Sequence, residues 1–230
     1  MEFEKYLQAG ERLDGLQLDG RYIISNKDKY CFTSDSVMLA NLVNANSKSK
    51  IVDLCCGGGI ISILIALKTN CKKIIGVELQ EDMADMATRS VLMNELQDIV
   101  EIINYDVKKI TDVIPKGYAD IVVCNPPYYK VNSGEIRENN SIAIARHEIA
   151  LNLEQLAEST SKILKFGGLF YLVHKAERMA EVITTLSKYN LTPKNIYIIT
   201  TNNSNIADTF IVTCKLGAKP GLIVKHIKHD

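Results

Sequence analysis

The sequence lacks an excess of charge of either sign. Its 230 residues carry 27 basic and 27 acidic side chains, so the formal net charge is zero at pH 7. A nucleic-acid partner would have to be met by a local basic surface, because the whole chain exerts no net attraction on phosphate. The best candidate is the C-terminal stretch, although solvated tails often have the same composition; its lysines are Lys194, Lys215, Lys219, Lys225 and Lys228.

Further absences narrow the class of protein. The longest nearly apolar run, IISILIAL, is too short to span a bilayer, and the first residues, MEFEKYLQAG, lack the basic and apolar regions of a secretory signal. The six cysteines include no Cys-x-x-Cys spacing, and the four histidines include no pair at metal-ligand spacing. We therefore expect a cytoplasmic protein with reduced thiols, no bound metal and no association with a membrane.

Short apolar runs alternate with amphipathic segments along most of the chain. The runs are β-branched and nearly continuous, which is typical of buried parallel strands, and they cover 51–54, 73–79, 99–103, 119–124 and 167–174. Apolar residues at three- and four-residue spacing predict helices over 60–69, 82–96, 151–165 and 176–188. The alternation predicts an α/β fold with helices on both faces of a mainly parallel sheet.

The two ends of the chain depart from this alternation. Residues 1–32 carry short strand-like pieces and turns, and we expect them to form an extension to a main domain over 33–230. A helix is expected from about 35 to 45, with Ser34 as its cap. At the other end, IYIITT and ADTFIVTCK flank the turn-forming NNSN and predict a closing antiparallel hairpin. Gly167 and Gly168 are expected to cap the helix that precedes them.

Polar residues follow successive strands of the predicted sheet, at the edge where ligands bind in such folds. Asp53 leads into the small residues Cys55 to Gly59, which let the backbone turn tightly and approach a ligand at a helix N-terminus. Glu78 ends the second strand, where a carboxylate can accept both hydroxyls of a ribose. Asp106 follows the third strand and is placed to accept from the exocyclic amine of an adenine.

These residues together predict a nucleoside-type cofactor. The glycine turn alone is weak evidence, because such turns also occur for structural reasons and because Ser62 stands where a dinucleotide fingerprint requires glycine. The fourth strand, however, ends in Asn-Pro-Pro-Tyr at 125–128, so four strand ends agree on a binding site.

In this order the motifs resemble those of class I S-adenosylmethionine-dependent methyltransferases that modify an amino nitrogen. The resemblance covers about residues 30–215. Within that class, KYCFTSDSVMLA (29–40), NPPYYK (125–130) and ARHEIALNL (145–153) resemble the bacterial valine tRNA (adenine(37)-N6)-methyltransferases. One departure is Cys55, where this family often has glycine, and the change should tighten the turn slightly.

The resemblance implies a Rossmann-like class I methyltransferase fold with a seven-stranded sheet. It implies S-adenosylmethionine as methyl donor, tRNA as partner, and transfer to the N6 amino group of adenine 37 in valine tRNA. We further expect a monomer. The implied catalytic residues are Asn125, Pro126, Pro127 and Tyr128. The implied cofactor-binding residues are Ser34, Asp35, Asp53, Cys55, Gly57, Gly59, Glu78, Leu79, Asp106, Val107 and Asn125.

The chemistry of an adenine amino group explains the Asn-Pro-Pro-Tyr segment. The nitrogen lone pair is delocalised into the ring, so it attacks a methyl group only if it is localised. The side-chain oxygen of Asn125 and the main-chain carbonyl of Pro126 can each accept one amino hydrogen and stabilise the charge that develops. Pro126 and Pro127 hold these acceptors in extended backbone, and Tyr128 offers a face on which an extruded base can stack.

Three other functions stay open at this point. The first is an N5-glutamine methyltransferase that acts on a protein, because an amide nitrogen poses the same lone-pair problem. Such enzymes usually carry a helical recognition domain, for which residues 1–32 are too few. The second is another RNA or DNA amino-group methyltransferase. The third is a non-enzymatic module that binds the cofactor or RNA.

Overall fold

A computed structural model describes residues 3–18, 20–27, 32–126, 151–201 and 204–229. They divide into two compact units. The first comprises Met1–Asp106 and Ala119–Cys124, and the second comprises Val107–Tyr118 and Asn125–Asp230. In the described parts of the chain, no helix has both the length and the apolar character needed to cross a membrane.

The first unit contains a wholly parallel four-stranded sheet. Its strands follow the order β6-β3-β4-β5 and are β3 (Lys50–Leu54), β4 (Lys73–Glu78), β5 (Val100–Asn104) and β6 (Ala119–Cys124). The connecting helices of this unit are α1 (Ser34–Leu42), α2 (Ile60–Lys68) and α3 (Glu81–Met93). Buried β-branched side chains fill the strands, and α2 is buried from Ile60 to Ala66, as expected for elements inside an α/β layer.

The N-terminal extension of this unit is a hairpin that packs on α3. Strand β1 (Glu11–Gly15) pairs antiparallel with β2 (Tyr22–Asn26), after a 3-10 helix at Glu4–Tyr6. The apolar side chains of the extension surround buried methionines of α3; the cluster contains Phe3, Tyr6, Leu7, Leu13, Tyr22, Ile24, Met83, Met86 and Met93. The strand-like pieces predicted for residues 1–32 are therefore present.

The second unit ends in antiparallel pairs. After a 3-10 helix at Val107–Asp112, its elements are α4 (Leu153–Ile163), β7 (Leu164–Lys175), a 3-10 helix at Ala176–Arg178, α5 (Met179–Lys188), β8 (Leu191–Thr201), β9 (Thr209–Leu216) and β10 (Ile223–His229). Their strand order is β10-β8-β9-β7, with β9 antiparallel to both neighbours and β10 parallel to β8. The predicted parallel strands and closing hairpin are thus both confirmed.

Three details differ from the expectations. Helix α1 starts at Ser34 itself, because Thr33 is the extended residue before it, and the helix stops at Leu42 because Val43 is extended again. Helix α4 ends at Ile163, and the chain becomes extended at Leu164, so Gly167 and Gly168 lie inside β7 and cap no helix. Strand β10 was not expected, and it adds an edge strand beyond the hairpin.

Candidate active site

A tight glycine loop joins β3 to α2 in the first unit. Two backbone hydrogen bonds stabilise the loop. Cys56 N donates to Val77 O at 3.1 Å, and Gly59 N donates to Cys56 O at 2.9 Å. Gly59 precedes α2 with a left-handed backbone (φ 85°), and a Cβ atom placed there would lie 3.2 Å from Ala87 Cβ of α3. A residue without a side chain is therefore required at this position, both by conformation and by the close approach of α3.

Asp53 lies at the start of this loop and is completely buried. Its Oδ2 atom accepts hydrogen bonds from Ser62 N at 3.2 Å and from Ser62 Oγ at 2.7 Å. Burial raises the pKa of Asp53 to about 7, against the lowering effect of the Ser62 donors and with a further increase from the charge of Glu78. The other carboxyl oxygen, Oδ1, is buried and has no hydrogen-bond partner among the described residues.

Glu78 ends β4 and ties the glycine loop to that strand. Its Oε2 atom accepts from Gly57 N at 2.9 Å, and its Oε1 atom accepts from Gln80 N at 3.0 Å. The side chain is almost fully buried. Because each carboxylate oxygen has two lone pairs, both atoms can accept one more hydrogen bond, as the predicted contact with a ribose requires.

Asn104, which was not among the predicted site residues, holds the turn after Glu78. Its Nδ2 atom donates to the carbonyl oxygens of Glu78 and Leu79, both at 2.9 Å. The next residue, Tyr105, donates its N–H to Glu78 O at 2.9 Å. These bonds fix the backbone at Leu79, whose side chain is 44% exposed. The signal in the sequence was the position of Asn104 at the end of β5, two residues before Asp106.

Cys55 occupies the left-handed region with φ 58°. Burial raises the pKa of the Cys124 thiol well above its ordinary value, and the neighbouring Cys55 side chain raises this pKa further. The Cys56 thiol is also buried, which raises its pKa, as do the nearby charges of Asp53 and Glu78. The thiols of Cys56 and Cys124 are therefore neutral and lie near the acidic side chains of Asp53 and Glu78.

The remaining predicted cofactor-binding residues occupy the ends of other elements. Ser34 and Asp35 form the first turn of α1. Asp106 follows β5, and Val107 is a buried residue that opens the 3-10 helix of the second unit. Hydrogen bonds join Asp53 to Ser62 and Gly57 to Glu78. The part of Asp53, Gly57 and Glu78 in cofactor binding stays a prediction.

Only half of the Asn-Pro-Pro-Tyr segment lies within the described residues. Asn125 and the buried Pro126 follow directly after Cys124, the last residue of β6. Pro127 and Tyr128 lie outside the described residues, and their roles stay predictions. Within the second unit, Pro126 lines a surface depression whose other residues are Leu151, Asn152, Leu153, Leu156, His174 and Arg178.

The chemistry of the first unit fits the predicted cofactor. S-adenosylmethionine combines an adenosine, which offers ribose hydroxyls to a carboxylate, with an amino-acid end whose α-ammonium group suits an anionic acceptor. Glu78 can accept from hydroxyls, and the buried Oδ1 atom of Asp53 lacks a partner. Within the described ranges, no three or more His, Cys, Asp and Glu side chains group in a way that could hold a metal ion.

Solved structures of other methyltransferases share this fold. A predicted O-methyltransferase from Agrobacterium tumefaciens superposes with a TM-score of 0.66 at 20% identity, over 84% of this chain and 85% of that one. The geranyl diphosphate C-methyltransferase of Streptomyces coelicolor, crystallised with S-adenosyl-L-homocysteine, gives a TM-score of 0.59 at 14% identity, over 79% and 75% of the two chains. The fold is therefore that of the class I S-adenosylmethionine-dependent methyltransferases.

Sequence comparison identifies the family within this class. Residues 32–195 match the model of the methyltransferase small domain, and the chain belongs to that family. Curated relatives named tRNA1(Val) (adenine(37)-N6)-methyltransferase include one from Pedobacter heparinus, 27% identical over 69% of this chain, and one from Proteus mirabilis, 25% identical over 75%. The matched part spans 65% and 68% of these relatives' own lengths. The resemblance inferred from the motifs is thereby confirmed.

Proposed function

We propose that this protein transfers a methyl group from S-adenosylmethionine to the N6 amino group of adenine in tRNA, and that the target is adenine 37 of valine tRNA. The position of Asn125 and Pro126 carries the proposal. They follow Cys124, which pairs with Leu54 in the neighbouring parallel strand, and Leu54 precedes the glycine loop. The printed name of the curated relatives supports the choice of substrate.

The residues after β6 act by position and polarity. The side-chain oxygen of Asn125 and the carbonyl oxygen of Pro126 each accept a hydrogen bond from the amino group. These bonds localise the nitrogen lone pair and stabilise the developing positive charge. Pro127 has no backbone N–H that could compete for these acceptors. Tyr128 stacks on the extruded base, a contact worth about 1–3 kcal/mol in nucleic-acid binders. When bound, S-adenosylmethionine supplies a methyl group on a positively charged sulfur.

The cofactor is held by the first unit. Glu78 accepts the ribose hydroxyls with the lone pairs that Gly57 and Gln80 leave free. The exposed Leu79 side chain covers one face of the adenine, and Asp106 accepts from its exocyclic amine. Asp53 faces the cationic end of the cofactor.

The tRNA partner requires cationic side chains that phosphates can reach. Strand β10 carries exposed Lys225 and Lys228, and the Lys225 ammonium lies 5.1 Å from the centre of the Tyr197 ring. These lysines neutralise tRNA phosphates in the proposed complex. The reaction would take place in the cytoplasm, with the protein as a monomer.

The test is methyl transfer from labelled S-adenosylmethionine to unmodified valine tRNA. We expect label on the transcript with adenine at position 37 and none on the matched transcript with guanine there. Asn125→Ala should lower the rate by roughly a hundredfold while the affinity for S-adenosylhomocysteine is kept, because Asn125 acts mainly on the reacting nitrogen. The matched control is Asn205→Ala, which removes an exposed amide from the turn before β9.

Two outcomes would contradict the proposal. Label on a release-factor protein and none on tRNA would identify a glutamine methyltransferase instead. Equal rates for the Asn125→Ala variant and the unaltered protein would show that this amide has no part in the chemistry.

A further inference from the structure

Helix α2 takes its N-terminal cap from another element. Gly59 occupies the cap position and has no side chain, so it cannot accept from the free N–H groups of the first turn. Asp53 of β3 does so in its place, because Oδ2 accepts from Ser62 N at 3.2 Å. The Ser62 hydroxyl donates to the same oxygen at 2.7 Å. Ser62 and Asp53 are both fully buried.

The backbone N–H and the hydroxyl of Ser62 both donate to Oδ2 of Asp53, so neither of them reaches the other carboxyl oxygen, Oδ1. Oδ1 is buried and has no hydrogen-bond partner in the part of the chain that the structure describes. Among the described residues, the charged group that acts on Asp53 is Glu78 of β4, which is an anion and raises the pKa of Asp53. An ionised carboxylate in such a place needs a positively charged donor from outside these residues.

We propose that Ser62 is a positioning residue, which holds Oδ2 of Asp53 so that Oδ1 receives the α-ammonium group of S-adenosylmethionine. This inference rests on the proposed function, because it assumes that cofactor. Of the two cationic groups of the cofactor, only the ammonium has N–H donors, whereas the sulfonium has none. A buried acceptor that lacks a partner is therefore matched to the ammonium.

A purely structural role for Ser62 predicts a different pattern of binding. If the hydroxyl only supported α2, its loss would loosen the glycine loop and weaken every ligand that binds there. If it orients Asp53 toward an ammonium, its loss weakens only ligands that carry one. Two nucleosides separate these cases: S-adenosylhomocysteine has the α-ammonium, and 5′-methylthioadenosine has the same adenosine and thioether without the amino-acid end.

The experiment is calorimetric titration of the full chain with each of the two nucleosides at pH 7.5. For Ser62→Ala we expect about a tenfold loss of affinity for S-adenosylhomocysteine and an unchanged affinity for 5′-methylthioadenosine, because one charge-assisted hydrogen bond is at stake. Ser62→Thr keeps the hydroxyl and should restore most of the lost affinity. Asp53→Asn keeps the shape of the side chain but not its charge, and should give the same selective loss.

The Asp53→Asn variant keeps the inference testable if Ser62→Ala does not fold. Equal loss for both nucleosides in the folded variants would overturn the inference and leave Ser62 a structural residue. Unchanged affinity for S-adenosylhomocysteine would overturn it as well. If the unaltered protein bound neither nucleoside, the cofactor proposal itself would fail, and that result is distinct from the first two.

Discussion

At the scale of single residues, Cys55 shows how far the glycine loop departs from its preferred sequence. A side chain in the left-handed region costs roughly 1–2 kcal/mol, and Cys55 has φ 58°. We therefore expect Cys55→Gly to be more stable than Cys55→Ala by about 1 kcal/mol, since both lose the thiol and only glycine relieves the strain. Urea denaturation of the two variants measures the difference.

The control for this comparison is the buried Cys71, which is absent from the positive-φ residues of the described chain. There the order should be reversed, with Cys71→Ala more stable than Cys71→Gly, because glycine only adds freedom to the unfolded chain. The same sign at both positions would show that backbone strain at Cys55 is negligible.

Some residues of the candidate site could be predicted from the sequence, whereas others were found only from their contacts in the structure. Asp53 and Glu78 could be predicted because parallel strands present their carboxyl ends at one edge of a sheet. Ser62 could not, because its partner lies in a different element and only the turn of the glycine loop between β3 and α2 brings the two together. The same limit applies to Asn104, whose carbonyl acceptors belong to the neighbouring strand.

At the scale of elements, an arginine of α3 adds an ion pair to the apolar packing of the N-terminal hairpin. Arg89 donates to both oxygens of Glu11 in β1 at 2.7 Å and to Asp85 at 2.9 Å. The Arg89 and Glu11 side chains are only 15% and 7% exposed. Arg89→Ala should therefore cost about 3 kcal/mol of unfolding free energy, because it removes the cation that pairs with a nearly buried carboxylate.

An exposed ion pair provides the matched control for this prediction. Lys162 and Glu158 lie one turn apart on α4 with side chains about half exposed. Lys162→Ala should change the unfolding free energy by less than about 1 kcal/mol. Similar losses for the two variants in denaturant titrations would mean that the hairpin does not depend on Arg89.

The boundaries of elements were predicted less well than their order, for reasons specific to each. The capping box of Asn152 and Gln155 is a local signal, and it fixes the start of α4. Gly167 is a strong local signal for the end of a helix. Here, however, the helix ends earlier, because the buried Leu164 begins β7, which pairs with β9. Strand β10 was missed because its few apolar residues stand among the lysines and histidines of a basic tail.

At the scale of the whole molecule, two buried groups give stability opposite dependences on pH. Burial, together with the charge of Arg178, lowers the pKa of His174 from 6.5 to about 4. Between these values the unfolded chain binds a proton that the folded chain does not, so stability falls as the pH falls. Burial raises the pKa of Asp53 to about 7 from 3.8, so there the folded chain binds the extra proton and stability rises as the pH falls.

The contributions of His174 and Asp53 to stability overlap between about pH 4 and 6.5 and offset each other. A variant that lacks one of the two groups should therefore show the pH dependence caused by the other. His174→Gln should make the protein more stable on acidification from pH 6.5 to 5, by on the order of 2 kcal/mol relative to the unaltered chain. Asp53→Asn should shift the change in unfolding free energy between the two pH values by a similar amount in the opposite direction. Urea titrations at the two pH values measure both shifts, and His226→Gln, at an exposed position on β10, is the control. Shifts of the same sign in the two buried-site variants would contradict the assignment, because only opposite protonation of the folded state at His174 and Asp53 produces opposite slopes.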